Sequence, residues 1–162
     1  MTEAKKPAGG NKPAAAKSPR RRSREFALQG LYQWRIGGQD EAAIEAHMAE
    51  VAGFDKADRE FFVGLVRGCL AQREALVAEL TPFLDRGFDE MSPIEACILL
   101  LAALELAHHP ETPYKVIINE AIELAKGYGG TDGHKYVNGV LDKLAAKLRA
   151  PEVEAKRRQQ GR

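Results

Sequence analysis

Cysteine is scarce in this chain of 162 residues, tryptophan occurs once, and the patterns that announce most enzymes are missing. Cys69 and Cys97 stand singly within apolar runs, without the paired spacing of a zinc site, a redox dithiol or a disulfide framework, and read as two buried thiols in a reducing cytosol. The apolar stretch Ile98–Leu104 falls far short of the roughly 20 residues of a membrane span, and the N-terminus lacks a signal-peptide hydrophobic region. The expectation is a soluble, cytoplasmic protein with no membrane contact.

Catalytic signatures are equally thin. His108 and His109 are adjacent rather than four apart, so one helical face cannot offer both to a metal. The stretch GGTDGHKY lacks the Gly-Lys step and the preceding strand of a phosphate loop. There is no G-x-S-x-G, no His paired with a nucleophile and no Gly-rich dinucleotide fingerprint. These absences predict no catalytic residue, no metal and no cofactor.

What the chain does have is ordinary globular composition, 44% hydrophobic and 29% charged, and enough length for one domain. Its net charge of +1 conceals segregation: residues 1–24 carry +7, residues 25–110 carry −9 and residues 111–162 carry +3. A basic start suits a polyanion, and an acidic middle suits a basic partner or simply solvation. Residues 1–18 have no apolar periodicity and read as a disordered basic tail, and residues 151–162, after the last periodic segment, as a flexible C-terminal tail.

Between the tails the periodicity is helical and no strand-like alternation appears, so the fold class is all-α. Ser18 and Pro19 cap a first helix carrying Ala27, Leu31 and Trp34 to a stop at Gly37-Gly38. Ile44, Met48 and Val51 mark a second. From Asp58 through Phe62, Leu65, Val66, Cys69, Val77 and Leu80 the spacing predicts one long central helix. SPIE, Ser92–Glu95, is a capping box opening an apolar helix that ends near His108 and keeps a polar edge at Glu105. Thr112-Pro113 starts another helix, and GYGGTDG links it to a final one with Val137, Val140, Leu141, Leu144 and Leu148 inward. About seven helices with short connections predict a compact bundle.

Two basic patches bear on function. Arg20, Arg21, Arg22 and Arg24 occupy the first turns of a helix, where the macrodipole disfavours cations by about 0.3–1 kcal/mol each; bound phosphate would offset this, and a basic tail running into a helix is the plainer alternative. In the last helix Lys135, Tyr136, Gly139 and Lys143 lie opposite the apolar stripe, an aromatic flanked by cations, with Asp132 at the expected N-cap. That combination suits base stacking with phosphate contact, as single-stranded RNA requires, although lysine stems covering a half-buried ring would place the same residues there.

RRRSREFALQGLYQW near the start and PYKVIINEAIELAKGYGGTDGHKYVNGVLDKL from Pro113 to Leu144 resemble the bacterial NusB family of transcription antitermination factors. The resemblance runs from about Arg20 to Leu148. It implies an all-helical domain in two subdomains over residues 19–150, binding of the single-stranded boxA element of nascent RNA, and partnership with NusE, a small-subunit ribosomal protein. Other Nus factors and RNA polymerase would be engaged indirectly, notably in ribosomal RNA operons. By position it implies RNA contacts at Arg20, Arg21, Arg22, Arg24, Asp132, Lys135 and Tyr136, with Lys143 added by the shared helix face. It places Tyr32 and Glu95 on the surface that receives NusE, and allows a homodimer when RNA is absent. A purely protein-binding helical adaptor is the alternative. RNA methyltransferases with a NusB-like N-terminal domain also exist, but no cofactor domain follows here.

Overall fold

The computed structural model describes residues 17–161. The Lys5, Lys6 and Lys12 portion of the basic tail lies outside them. The described residues form eight α-helices and no strand: α1 (Pro19–Gly37), α2 (Glu41–Ala49), α3 (Arg59–Ala71), α4 (Arg73–Leu80), α5 (Pro93–His108), α6 (Tyr114–Tyr128), α7 (Gly133–Leu148) and α8 (Ala150–Gln160). Three short 3₁₀ turns lie in the connections after α2 and α4.

α1 forms where its local signals place it. The Ser18 hydroxyl accepts from the Arg21 N–H at 3.1 Å, and Pro19 fills the first turn, where a missing N–H costs nothing. At the other end Gly38 takes the left-handed conformation, φ 72°, and its N–H closes on the Trp34 carbonyl. Ala27, Leu28 and Leu31 are completely buried along one stripe.

The expected helix from Asp58 to Leu80 is two helices, interrupted at Gln72 with φ −111° and ψ 18°. The break has a packing reason, because α3 lies against α1 and α5 whereas α4 lies against α5 and α7. Neither is the centre. That position belongs to α5, in which every residue from Ala96 to Leu106 is buried and which touches α1, α3, α4, α6 and α7. α1–α3 group on one side of it, and α4, α6 and α7 on the other.

The C-terminal residues expected to be loose form α8 instead. Pro151 sits in its first turn, where proline is compatible with a helix, and Val153 is buried. Arg149, at the α7–α8 junction, is the main tie. Its Nε donates to the Leu106 carbonyl at 2.8 Å and its Nη2 to the Glu105 and His109 carbonyls at 3.2 and 2.9 Å. The Glu105 and His109 carbonyls also accept the His109 and Thr112 N–H groups, so the guanidinium reinforces the end of α5 and supplies the donor for the Leu106 carbonyl. Nη1 holds Glu152 at 2.6 Å, and the other oxygen of Glu152 accepts the Tyr114 N–H that opens α6. These contacts span 38 to 44 residues, which is why no local pattern announces them.

Candidate nucleic-acid interface

The arginine tract divides according to helical angle. Arg24 shares the inward stripe of α1, three, four and seven residues before Ala27, Leu28 and Leu31, and it is buried. Its guanidinium meets Glu105 of α5 through two parallel bonds of 2.8 Å, with side-chain exposures of only 6% and 3%. The expected RNA contact at Arg24 is therefore corrected to an internal ion pair, and the polar edge expected at Glu105 is its buried partner.

Arg20 lies one turn before Arg24, with its guanidinium 4.2 Å above the Phe61 ring and 3.8 Å from Asp58. Nearly half of that side chain remains exposed. Arg21 forks onto Glu120 of α6 at 3.0 and 2.8 Å, a bond that raises its pKa further above the ordinary arginine value. Arg22 is half-buried and enters none of the ion pairs among the described residues. Beneath the tract Ser23 is fully buried and donates to the Asp58 carbonyl at 2.6 Å, pinning α1 to the start of α3. Arg21 keeps 39% of its side chain exposed but is committed to Glu120, so the arginines of this edge not held by a close carboxylate fork are Arg20 and Arg22.

The second set gathers where α6 turns into α7. Lys135 and Asp132 are both largely exposed and face each other at 3.4 Å. Asp132 precedes α7, but its side chain makes no capping bond. The positive end of that helix meets another carboxylate: a Cβ built on Gly133 would come within 2.5 Å of Glu95 Oε2. This approach explains the glycine and the loss of the Glu95 half of the capping box, since Glu95 lies against Gly133 instead of turning back; Ser92 for its part makes no side-chain bond to α5.

Tyr136 is half-buried and packed on the core rather than standing free. Its hydroxyl donates to Asp85 Oδ1 at 2.9 Å and accepts from the Asp85 N–H at 3.1 Å. Arg86 forks onto the same carboxylate at 3.1 and 3.3 Å. The Arg86 bond first, then the Tyr136 bond, hold the Asp85 carboxyl below the usual aspartate range, while burial is the largest influence raising the Tyr136 phenol. Lys143 is exposed two turns farther along the Tyr136 face. Nothing in the sequence singles out Asp85 and Arg86. They lie in an irregular connection with no periodicity, and Asp85 stands 51 residues before the ring it meets.

Helix registers relate the two edges. Arg21–Glu120 and Gln29–Tyr128, the latter at 3.3 Å, show α1 and α6 running parallel, with eight residues between the pairs, or about 12 Å along the axis. Arg24–Glu105, with Arg35 near the end of α1 donating to the Phe88 carbonyl just before α5, sets α5 antiparallel to α1, so Glu95 lies about level with Trp34. Tyr32, Glu95, Asp132, Lys135 and Tyr136 therefore belong to one end of the bundle, and Arg20–Arg22 to the other. Tyr32 is 38% exposed, Ile36 one turn farther along α1 is exposed as well, and Tyr128, whose hydroxyl accepts from Gln29 of α1, is also open to solvent. Among the described residues no cluster of three or more His, Cys, Asp or Glu could hold a metal, and no helix is long and apolar enough to cross a membrane.

This arrangement has known counterparts. The sequence description of the NusB family matches residues 21–146, spanning α1 to most of α7. The transcription antitermination protein NusB of Dechloromonas aromatica is 64% identical over 144 residues, covering 89% of this chain and 88% of that protein. A T. maritima NusB structure superposes with a TM-score of 0.70 at 30% identity, covering 80% of this chain and 92% of the other. A crystal structure of the antitermination factors NusB and NusE in complex with double-stranded RNA superposes with a TM-score of 0.70 at 22% identity, a likeness of fold, over 78% of this chain and 96% of that one. With a family description that spans residues 21–146 and a relative 64% identical over most of both chains, the chain belongs to the NusB family.

Proposed function

We propose that this protein is a non-catalytic transcription antitermination factor that binds single-stranded boxA RNA together with NusE, assembling on transcribing RNA polymerase in the cytoplasm. The family match across α1–α7 carries this reading, because it includes nearly the whole arginine tract and the α7 edge in one helical frame. Arg20 and Arg22 supply phosphate contacts at one end of the bundle. Lys135 and Tyr136 supply a cation and a stacking ring at the other, with Asp132 beside Lys135 and Lys143 two turns farther along α7.

Tyr32, Ile36 and Tyr128, with Glu95 at the same end, form the surface offered to NusE. Exposed apolar side chains at the end that bears the α7 edge suit a protein that shares the nucleic acid. The domain doing this work is residues 19–150, extended by α8.

The test is the affinity for boxA RNA, with and without NusE, as a function of salt. Four phosphate contacts, from Arg20, Arg22, Lys135 and Lys143, predict a log–log slope of about −2.8. Tyr136→Ala is expected to cost about 1–3 kcal/mol if the ring stacks on a base. Equal affinity for boxA and scrambled RNA with NusE present would overturn the reading.

A further inference from the structure

The α7 edge contains a carboxylate that its expected ligand should repel. Asp85 is half-exposed and sits in the edge where Tyr136 and Arg86 meet. An unpaired anion there would oppose RNA phosphate. Its geometry suits it to a different role. One carboxylate receives the Tyr136 hydroxyl on Oδ1 and both arms of Arg86, and the Asp85 N–H returns a bond to the phenol oxygen. Tyr136 is thus held at its tip by two bonds. Those bonds engage the para oxygen at the ring's edge, and the half-buried ring, packed on the core, keeps part of its surface open to solvent.

The connection carrying Asp85 is itself anchored. A 3₁₀ turn at Thr81–Phe83 precedes it, with the Thr81 hydroxyl on the Val77 carbonyl at 2.6 Å, and Phe83 and Leu84 pack on the core. Asp85 is consequently a fixed point, against which a ring on α7 can be oriented before any ligand arrives.

We propose that Asp85 is a positioning residue for RNA binding, its carboxylate and N–H fixing the Tyr136 ring while the same carboxylate holds the Arg86 guanidinium beside it, so that a base-stacking face and a cation are presented together. The ligand class is a single-stranded nucleotide, met through its base and its phosphate. Pre-ordering a side chain removes a cost otherwise incurred on binding. This inference rests on the RNA-binding reading of the α7 edge.

Charge and positioning predict opposite signs, which makes the experiment decisive. Binding of labelled boxA RNA to the full chain is measured by anisotropy at one low salt concentration. Removing a carboxylate should tighten RNA binding if Asp85 acts by charge alone, whereas the positioning role predicts that Asp85→Ala binds roughly two- to tenfold more weakly. Tyr136→Phe, which keeps the ring and loses the hydroxyl, should weaken binding in the same direction. The losses in the double variant should fall short of the product of the single ones, because both changes remove the Tyr136–carboxylate bond, while the Asp85 N–H bond survives Asp85→Ala and goes only with the hydroxyl. In a Tyr136→Ala background, with no ring to orient, the loss caused by Asp85→Ala should shrink to the part due to releasing Arg86.

Far-UV circular dichroism and the urea midpoint verify folding of each variant. Wild-type binding with Asp85→Ala unchanged or tighter overturns the proposal alone, as do losses that multiply in the double variant. Wild-type protein with no preference for boxA over scrambled RNA overturns the functional reading, and the proposal with it.

Discussion

Replacing Arg24 by alanine distinguishes an internal brace from an RNA contact. Arg24 and Glu105 are joined by two bonds of 2.8 Å, and Arg24 also lies 3.9 Å from Glu120 and 5.0 Å from the centre of the Phe61 ring. Truncation leaves the Glu105 carboxylate in the core with no partner, and breaking a buried pair in this way costs about 3–5 kcal/mol. With a urea m-value of about 2 kcal/mol/M, the midpoint falls by roughly 1.5–2.5 M. Arg24→Met combined with Glu105→Leu removes both charges in similar volumes and should recover most of the loss. Urea unfolding followed by far-UV circular dichroism supplies the stabilities, and anisotropy with boxA RNA the affinities. The folded double variant is expected to keep wild-type RNA affinity and salt slope. Arg22→Ala should do the converse, changing stability by less than about 0.5 kcal/mol and reducing the slope by about 0.7. An Arg24→Ala protein of wild-type stability that has lost RNA affinity would refute the assignment of Arg24 to the interior.

Arg149→Ala should undock α8 and leave the Leu106 carbonyl unsatisfied, costing about 1–3 kcal/mol, with loss of amide protection in α8 by hydrogen exchange. Burial would raise the Glu152 carboxyl, but the Tyr114 N–H and Arg149 outweigh it and hold the pKa below the usual glutamate value. Its stabilisation is present above the unfolded value, near about 4.3, and is lost as pH falls through the lower folded one; protection of the Tyr114 amide should fade over that acid range and not near neutrality. Burial pushes the Cys97 thiol up to about 12 and the Cys69 thiol well above its ordinary value. Neither should react with a thiol reagent at about pH 8 until urea unfolds the chain, and rapid native labelling would contradict the packing of α3 against α5.

Legibility in the sequence followed the range of the interactions. The ends of α1 were readable because Ser18, Pro19 and Gly38 act within four residues of themselves. The helical class was readable because periodicity reports burial wherever a helix has one wet face. Prediction failed where a distant group competed for a side chain. Glu95 had the spacing of a capping box, yet lies against Gly133 across the bundle. Residues 151–162 had almost no apolar content, and their helix is tied down by Arg149 and Glu152 to the ends of α5 and α6. Arg24 was the avoidable error: its spacing to Ala27, Leu28 and Leu31 put it on the inward stripe, but its place in a run of arginines suggested a common role. The site was only half visible, since Lys135, Tyr136 and Lys143 share a helix face whereas Asp85 and Arg86 join them by tertiary folding alone.

The parallel register of α1 and α6 makes the bundle a measuring device. Along α1 and α6 about 12 Å of axis separates the level of the arginine edge from that of Tyr128, after which the chain turns into α7, with a nearly charge-balanced groove beside the arginine edge in which Lys17 meets Glu25 and Arg21 meets Glu120. An oligonucleotide too short to bridge that interval engages a single edge, and one that just bridges it gains the second contact as an intramolecular event. Affinity should therefore climb abruptly at a threshold length and then level off, so that the protein senses the span of its ligand as well as its bases.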